Sequence, residues 1–343
     1  MKAMVLRKLC DLERCRTPLE LADVSVPEPA TNELLVKISA CGVCHTELDE
    51  IEGRTAPPRL PVIPGHQVVG TVAKFGDGAK TFRAGDRVGV AWIYSACGTC
   101  VHCLSGNENL CADFRGTGRD ADGGYAEYMT VREDFAHRIP ETFSDVEAAP
   151  LLCAGAIGYR SLRLANLADG RNFGLTGFGA SAHLVLMMAR RQYPSSKAFV
   201  FSRSPEERSF ALELGATWAG DIGERSPEPL TGIIDTTPAW RPAVEALANL
   251  APGGRLVINA IRKEARDIEH LLKLDYPSHL WMEKEIKSVA NVTRADVREF
   301  LALAADIGIE PEVEEFRLED ANRALLELKA RKIRGAKVLT VRG

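Results

Sequence analysis

The sequence predicts an α/β protein in two parts: an irregular β-rich domain followed by a doubly wound parallel sheet. Three observations carry this. Residues 1–150 hold short β-like runs separated by proline and glycine turns, with few helical stretches. From about residue 150, strand-like and helical stretches alternate, the pattern of parallel βα units. The first strand of that half runs into a glycine-rich turn that opens a helix. A chain of 343 residues, 45% apolar, suits two domains with sizeable cores. The expected division is 1–150 and 151–290, with 291–343 returning to complete the first domain.

Ala3–Leu6 and Glu33–Ile38 read as strands, and Val68–Val72, Arg87–Ala91 and Tyr125–Val131 continue the series, separated by turns such as Gly76-Asp77-Gly78. Glu147–Leu164 reads as interrupted helix. The second half then gives a strand at Phe173-Gly-Leu-Thr176, the turn Gly177-Phe178-Gly179-Ala180-Ser181, a helix, and a strand Ala198–Ser202. Further βα alternation follows through Ser209–Leu214, Gly232–Asp235, Pro242–Leu250 and Arg255–Asn259. A short strand at 287–290, helices at Arg294–Ile307 and Leu318–Lys332, and a strand at Ala336–Val341 complete the chain.

The formal net charge is -4, with both signs interspersed, so no basic surface marks a nucleic-acid partner. The longest apolar runs fall far short of a membrane span. The start reads as a strand, because Asp11 and Glu13 follow too soon for a signal peptide. The expected location is therefore cytoplasmic, with neither nucleic acid nor membrane as partner. Nine cysteines there read as metal ligands or ordinary thiols, not disulfides.

Two cysteine clusters stand out. Cys41-Gly-Val-Cys44-His45-Thr46-Glu47 is followed by Pro64-Gly65-His66-Gln67. Zinc takes thiolate and imidazole ligands, and a catalytic site uses three and keeps a fourth position open. Cys44 and His66 are the first two candidates, and Cys153 is the best remaining cysteine for the third. A thioredoxin-like pair, Cys41-x-x-Cys44, is the rival, but such a pair opens a helix after the first strand of a small domain. Further on, Cys97, Cys100, Cys103 and Cys111 form C-x2-C-x2-C-x7-C. Four thiolates this close satisfy a closed tetrahedral zinc, with an iron–sulfur cluster as the rival. His102 lies between ligands and reads as exposed.

Phe173–Ser181 supplies the phosphate-binding logic of a Rossmann domain. Gly177 and Gly179 let the backbone approach a pyrophosphate, and Ala180 and Ser181 open the helix whose N-terminus favours it. NAD-specific domains place an acid at the end of the second strand. Here that end reads Ser202-Arg203-Ser204, a small hydroxyl and a guanidinium suited to phosphate. The residues therefore favour NADP(H), with NAD(H) as the alternative. Ser204 before Pro205-Glu206 reads as a helix cap.

These pieces in this order resemble the zinc-containing medium-chain alcohol dehydrogenases over essentially the whole chain. The resemblance implies a GroES-like catalytic domain, a Rossmann cofactor domain and two zincs per chain. It implies Cys44, His66 and Cys153 as catalytic ligands and Cys97, Cys100, Cys103 and Cys111 as structural ones. Thr46 would relay the alcohol proton, His45 would lie beside the pyrophosphate, and Glu47 would buttress the zinc-bound histidine. Trp92 would line the alcohol pocket, and Ile51, where some relatives have Trp, would widen it. Asp49 replaces a relay histidine, Gln67 a glutamate, Ile157 a threonine and Ala336 a pyrophosphate arginine, with Arg334 and Lys337 nearby.

The implied activity is interconversion of alcohols and aldehydes or ketones by hydride transfer with a nicotinamide cofactor, in a homodimer or homotetramer. The alternatives are an NADPH-dependent aldehyde reductase, a sorbitol- or threonine-type dehydrogenase, and a zinc-free nucleotide-binding relative.

Overall fold

The computed structural model describes residues 1–330 and 335–341. The chain forms two compact units, Met1–Cys153 with Val292–Gly343, and Ala154–Asn291.

The first unit is built on the strand Glu33–Val43, whose apolar residues make it buried along most of its length. It pairs antiparallel with Val68–Phe75 on one side and Ala336–Thr340 on the other, and Tyr128–Arg132 also pairs with it. The sheet extends through Arg87–Val90 to Ala136–Arg138, and through Ala336–Thr340 to the parallel strand Val313–Arg317. Cys41 lies opposite Val68, and Gly42 N–H donates to Gln67 O at 3.0 Å. That register brings the end of one strand, before Cys44, beside His66 at the start of the other. Gly65 enters this corner at φ +101, and a Cβ there would lie 2.4 Å from the Tyr125 ring, so no larger residue fits.

The sequence strands are found, most of them longer or shifted by a few residues. Arg294–Ile307 is a helix with the expected bounds. It starts on a capping box, in which Thr293 and Asp296 each satisfy the other's backbone N–H. The later helix is shorter than expected, Ala321–Lys329, and Lys332 lies outside the described residues.

The second unit is a six-stranded, wholly parallel sheet in the order Trp218–Gly220, Ala198–Phe201, Phe173–Thr176, Leu230–Asp235, Leu250–Ile258 and Glu285–Ser288. Numbered along the chain this is 3-2-1-4-5-6, the order that reverses beside the first strand. The outer strand Trp218–Gly220 went unread in the sequence, being three residues long and ending in glycine. No described helix is long and apolar enough to cross a membrane.

One long-range tie secures the four-cysteine lobe to the returning C-terminal segment. Arg294 donates from its backbone N–H (2.8 Å) and Nε (3.0 Å) to Glu108, which is 2% exposed. Burial works against the Glu108 carboxylate, but the Arg294 bonds outweigh it and hold the group below its ordinary value of 4.5. The bonus is therefore complete above the unfolded-state value and fades as pH falls through the folded one. Glu108→Gln should cost about 1–3 kcal/mol near neutral pH. In acid its stability should converge on that of the parent, as read by urea unfolding across pH.

Candidate metal centres and nucleotide turn

The long strand ends at Val43, and the helix His45–Ile51 begins at once, so Cys44 is its N-cap. Glu47 closes a capping box by accepting the Cys44 N–H at 2.8 Å through Oε2. Its other oxygen, Oε1, is 2.5 Å from His66 Nδ1. Both side chains are buried. With Nδ1 engaged, Nε2 faces the remaining donors, 3.3 Å from Cys153 Sγ. Cys153 sits on one wide helical turn, Leu151–Gly155, behind the fully buried Leu151 and Leu152. The Cys44, His66 and Cys153 ligand atoms all lie within 4.8 Å of one another.

The three donors and Glu47 act strongly on one another's protonation. A hydrogen bond to Cys153 and the adjacent His66 hold the Cys44 thiol well below its usual value despite burial, while the same bond and burial push Cys153 well up. Burial opposes a charged His66 ring, yet Glu47 and Cys44 together hold it well above its usual value. Two thiols and an imidazole, with a buried carboxylate behind the imidazole, form a donor set that fits zinc and match the three protein ligands of a catalytic site.

Thr46 is half-buried, its Oγ1 3.7 Å from Cys44 Sγ, and His45 is exposed on the same first turn. Cys41 belongs to the hydrophobic core, and burial raises its thiol, so Cys41 and Cys44 are not a redox pair. Asp49 is buried with Oδ1 2.5 Å from Arg54 Nε, so its charge is already matched. Ile51 is fully buried in the core of the first unit, at the end of a helix whose residues from Glu47 on are all buried. Trp92 is half-buried against Phe114, ring centroids 4.7 Å apart. Lys337, held near in sequence to the missing pyrophosphate arginine, is buried and ion-paired with Glu314 and Glu327. Arg334 lies outside the described residues.

Cys97, Cys100, Cys103 and Cys111 also bring their sulfurs within 4.8 Å of one another, around the short helix Val101–Leu104. Backbone N–H groups of Thr99 and Cys100 lower the Cys97 thiol to about 6, and burial pushes Cys103 up to about 12. Four sulfurs fit a closed tetrahedral zinc. His102 is exposed, as read from the sequence.

In the second unit, Phe173–Thr176 leads into Gly177 at φ +75, where a Cβ would lie 2.8 Å from Thr237. Gly179 then caps the helix Ala180–Gln192, which includes Ser181. His183 is buried, its Nδ1 3.1 Å from Gly179 O, which is a structural position. Beneath the turn lies a network the sequence reading missed. Asp235, fully buried, accepts from Thr176 Oγ1 (2.6 Å), Thr237 Oγ1 (2.8 Å) and the Lys263 ammonium.

At the second strand's end, Ser202 is buried and Arg203 exposed. A second missed residue, Glu207, accepts the Ser202 hydroxyl and, at 3.3 Å, the Phe178 N–H. The signal for it was Ser204-x-x-Glu207, a capping-box spacing that fixes where the first helical turn points.

A profile of the alcohol dehydrogenase GroES-like domain matches residues 30–141. A Mycobacterium tuberculosis protein described as "Probable alcohol dehydrogenase AdhA" is 46% identical over 329 residues, covering 94% of this chain and 93% of its own. An alcohol dehydrogenase of Geobacillus stearothermophilus is 34% identical over 329 residues, 94% and 96% of the two chains. The structure of a Sorghum bicolor cinnamyl alcohol dehydrogenase matches with a TM-score of 0.84 at 27% identity, over 99% of this chain and 97% of that one. With the fold and the donor sets described above, these likenesses establish that the chain belongs to the zinc-containing medium-chain alcohol dehydrogenase family.

Proposed function

We propose that this alcohol dehydrogenase works through a catalytic zinc on Cys44, His66 and Cys153, and that a second, structural zinc is held by Cys97, Cys100, Cys103 and Cys111. The observation that carries the reading is the convergence of three donors from separate segments within 4.8 Å, with Glu47 fixing the imidazole. When bound, zinc supplies Lewis acidity to the alcohol oxygen or the carbonyl, and the nicotinamide supplies the hydride carrier.

The protein's own share is orientation and proton handling. Glu47 Oε1 holds the proton of His66 Nδ1, leaving Nε2 as the ligand atom. Thr46 Oγ1, beside Cys44 Sγ, accepts the alcohol proton and passes it on. Asp49, matched by Arg54, is outside this path. His45 offers an exposed imidazole to the cofactor's pyrophosphate. Within the second unit, Gly177, Gly179, Ala180 and Ser181 form a turn and helix start suited to a pyrophosphate. Trp92 contributes an aromatic wall to the alcohol pocket. A thiolate as third ligand favours this reading over the polyol-type enzymes, which often use a glutamate there.

All nine cysteines are free, which suits a reducing, cytoplasmic compartment. A homo-oligomer is supported by the second unit's outer strand. Glu285–Ser288 is exposed along its length at the sheet edge, beside exposed Tyr276, Trp281, Met282 and Ile286. Such an edge invites pairing with a second copy.

Three outcomes test these readings. Cys44→Ser should abolish alcohol oxidation and lower bound zinc from about two to about one per chain with the fold kept, whereas Cys100→Ser should lower Tm, because a closed site contributes folding energy. A fully active Cys44→Ser protein would overturn the catalytic assignment. Thr46→Ala should cut kcat by about 100-fold or more, Thr46→Ser far less, and Asp49→Asn about threefold at most, measured as steady-state turnover near neutral pH. An Asp49→Asn loss equal to that of Thr46→Ala would put the aspartate in the relay. Ile286→Lys should shift the oligomer toward smaller species in light scattering without loss of zinc. An unchanged mass would remove the edge strand as the contact.

A further inference from the structure

We propose that Glu207 is the specificity-determining acceptor for the ribose hydroxyls of the cofactor's adenosine, and that it turns this protein toward NAD(H) and against NADP(H). The proposal rests on the dehydrogenase reading above and reverses the cofactor preference expected from the sequence.

The sequence expectation depended on the absence of an acid at the end of the second strand. The fold supplies one from the next element. Ser204 caps the helix Pro205–Glu213 by accepting the Glu207 N–H at 3.2 Å, and so turns the Glu207 carboxylate back over the strand end. Glu207 Oε2 then accepts the hydroxyl of Ser202 and the N–H of Phe178, the residue between Gly177 and Gly179. One carboxylate thus bridges the end of the second strand and the glycine-rich turn after the first. In dinucleotide-binding folds the acid that reads the adenosine ribose follows the glycine turn by about 20 residues, and here Glu207 reaches back to that region from the next helix. Its second oxygen, Oε1, takes no hydrogen bond among the described residues and remains free to accept from a diol.

The groups that had suggested a phosphate site are otherwise engaged. The Ser202 hydroxyl is donated to Glu207. Arg208 spends its Nη1 on Ser202 O (2.7 Å) and Arg203 O (3.3 Å), and lies 3.8 Å from Asp221. Arg203 is exposed and its side chain makes no hydrogen bond or ion pair among the described residues, so nothing holds the guanidinium over the strand end. A 2′-phosphate there would meet an anion that is already fixed, and like charges in contact disfavour binding. A ribose 2′-hydroxyl would instead donate to that anion, a charge-assisted hydrogen bond.

The test is direct binding to the full-length protein as purified, by titrating NADH, NADPH and 2′-deoxy-NADH and following nicotinamide fluorescence. The parent should bind NADH about tenfold or more tightly than NADPH, and lose about tenfold on removal of the 2′-hydroxyl, the scale of one hydrogen bond to a charged group. Glu207→Gln should improve NADPH binding while weakening NADH, and should shrink the penalty for 2′-deoxy-NADH. Arg203→Ala should leave the NADH-to-NADPH ratio unchanged. A merely structural Glu207 would make Glu207→Gln weaken all three ligands equally, and that result overturns the proposal. So does a parent that binds NADPH more tightly. Failure of the parent to bind any of the three would overturn the dehydrogenase reading as well.

Discussion

The corner that brings Cys44 and His66 together depends on one buried carboxylate. Glu47 is wholly removed from solvent, and each of its oxygens has a separate task, one on the Cys44 N–H and one on the His66 imidazole. Burial of a carboxylate is costly unless it is hydrogen-bonded and faces positive charge. Both conditions are met by groups that the fold must hold together in any case, the first turn of a helix and the residue before a strand. The carboxylate thus fixes the imidazole's tautomer and couples its position to that of the first thiol. Burial raises Glu47 and His66 opposes that rise, so the carboxylate and the imidazole are held to each other.

The same arithmetic separates side chains already committed to an ion pair from those that are not. Asp49 and Lys337 both occupy suggestive positions, yet each is buried against opposite charge, Arg54 in the one case and two glutamates in the other. Withdrawing either from its partner would leave an uncompensated charge in a poorly solvated place. Thr46 and His45 carry no such commitment to an ion pair and sit on the turn that also carries Cys44. Availability, more than residue type, distinguishes the two groups.

What the sequence made legible follows from how local each signal is. The four-cysteine lobe is encoded within fifteen residues, and the glycine turn within a single strand–turn–helix, so spacing alone sufficed to find them. The parallel sheet was legible because its strands are apolar on both faces and separated by helices. The burial of Ile51 was not legible because it is set by tertiary packing in the core, which a residue-by-residue reading cannot see. Lys263 and Asp235 were missed for a similar reason: their pairing spans two strand ends that meet only in the sheet. Glu207 was missed because the acid was sought on the strand, whereas the helix after it supplies the carboxylate.

The two cysteine clusters also differ in what their geometry asks of the rest of the molecule. Cys97 to Cys111 come from one loop with only a four-residue helix and a short turn of its own, and Val101 and Leu104 on that helix are largely exposed. Beyond the packing of Cys103, Cys111 and Phe114 on the core and the Glu108–Arg294 tie, a cation bound by the four thiols would add to the order of this loop. Cys44, His66 and Cys153 are brought together by a sheet register, a capping box and two fully buried leucines. Here the apolar core holds the ligands in place before any metal arrives. A preformed site spends little of its metal affinity on folding, and it can therefore leave one coordination position to the substrate. A site that must also fold its own loop needs every ligand it has. On the two-zinc proposal, closed and open coordination in the same unit would follow from the number of donors, four and three, and from how much core stands behind each set.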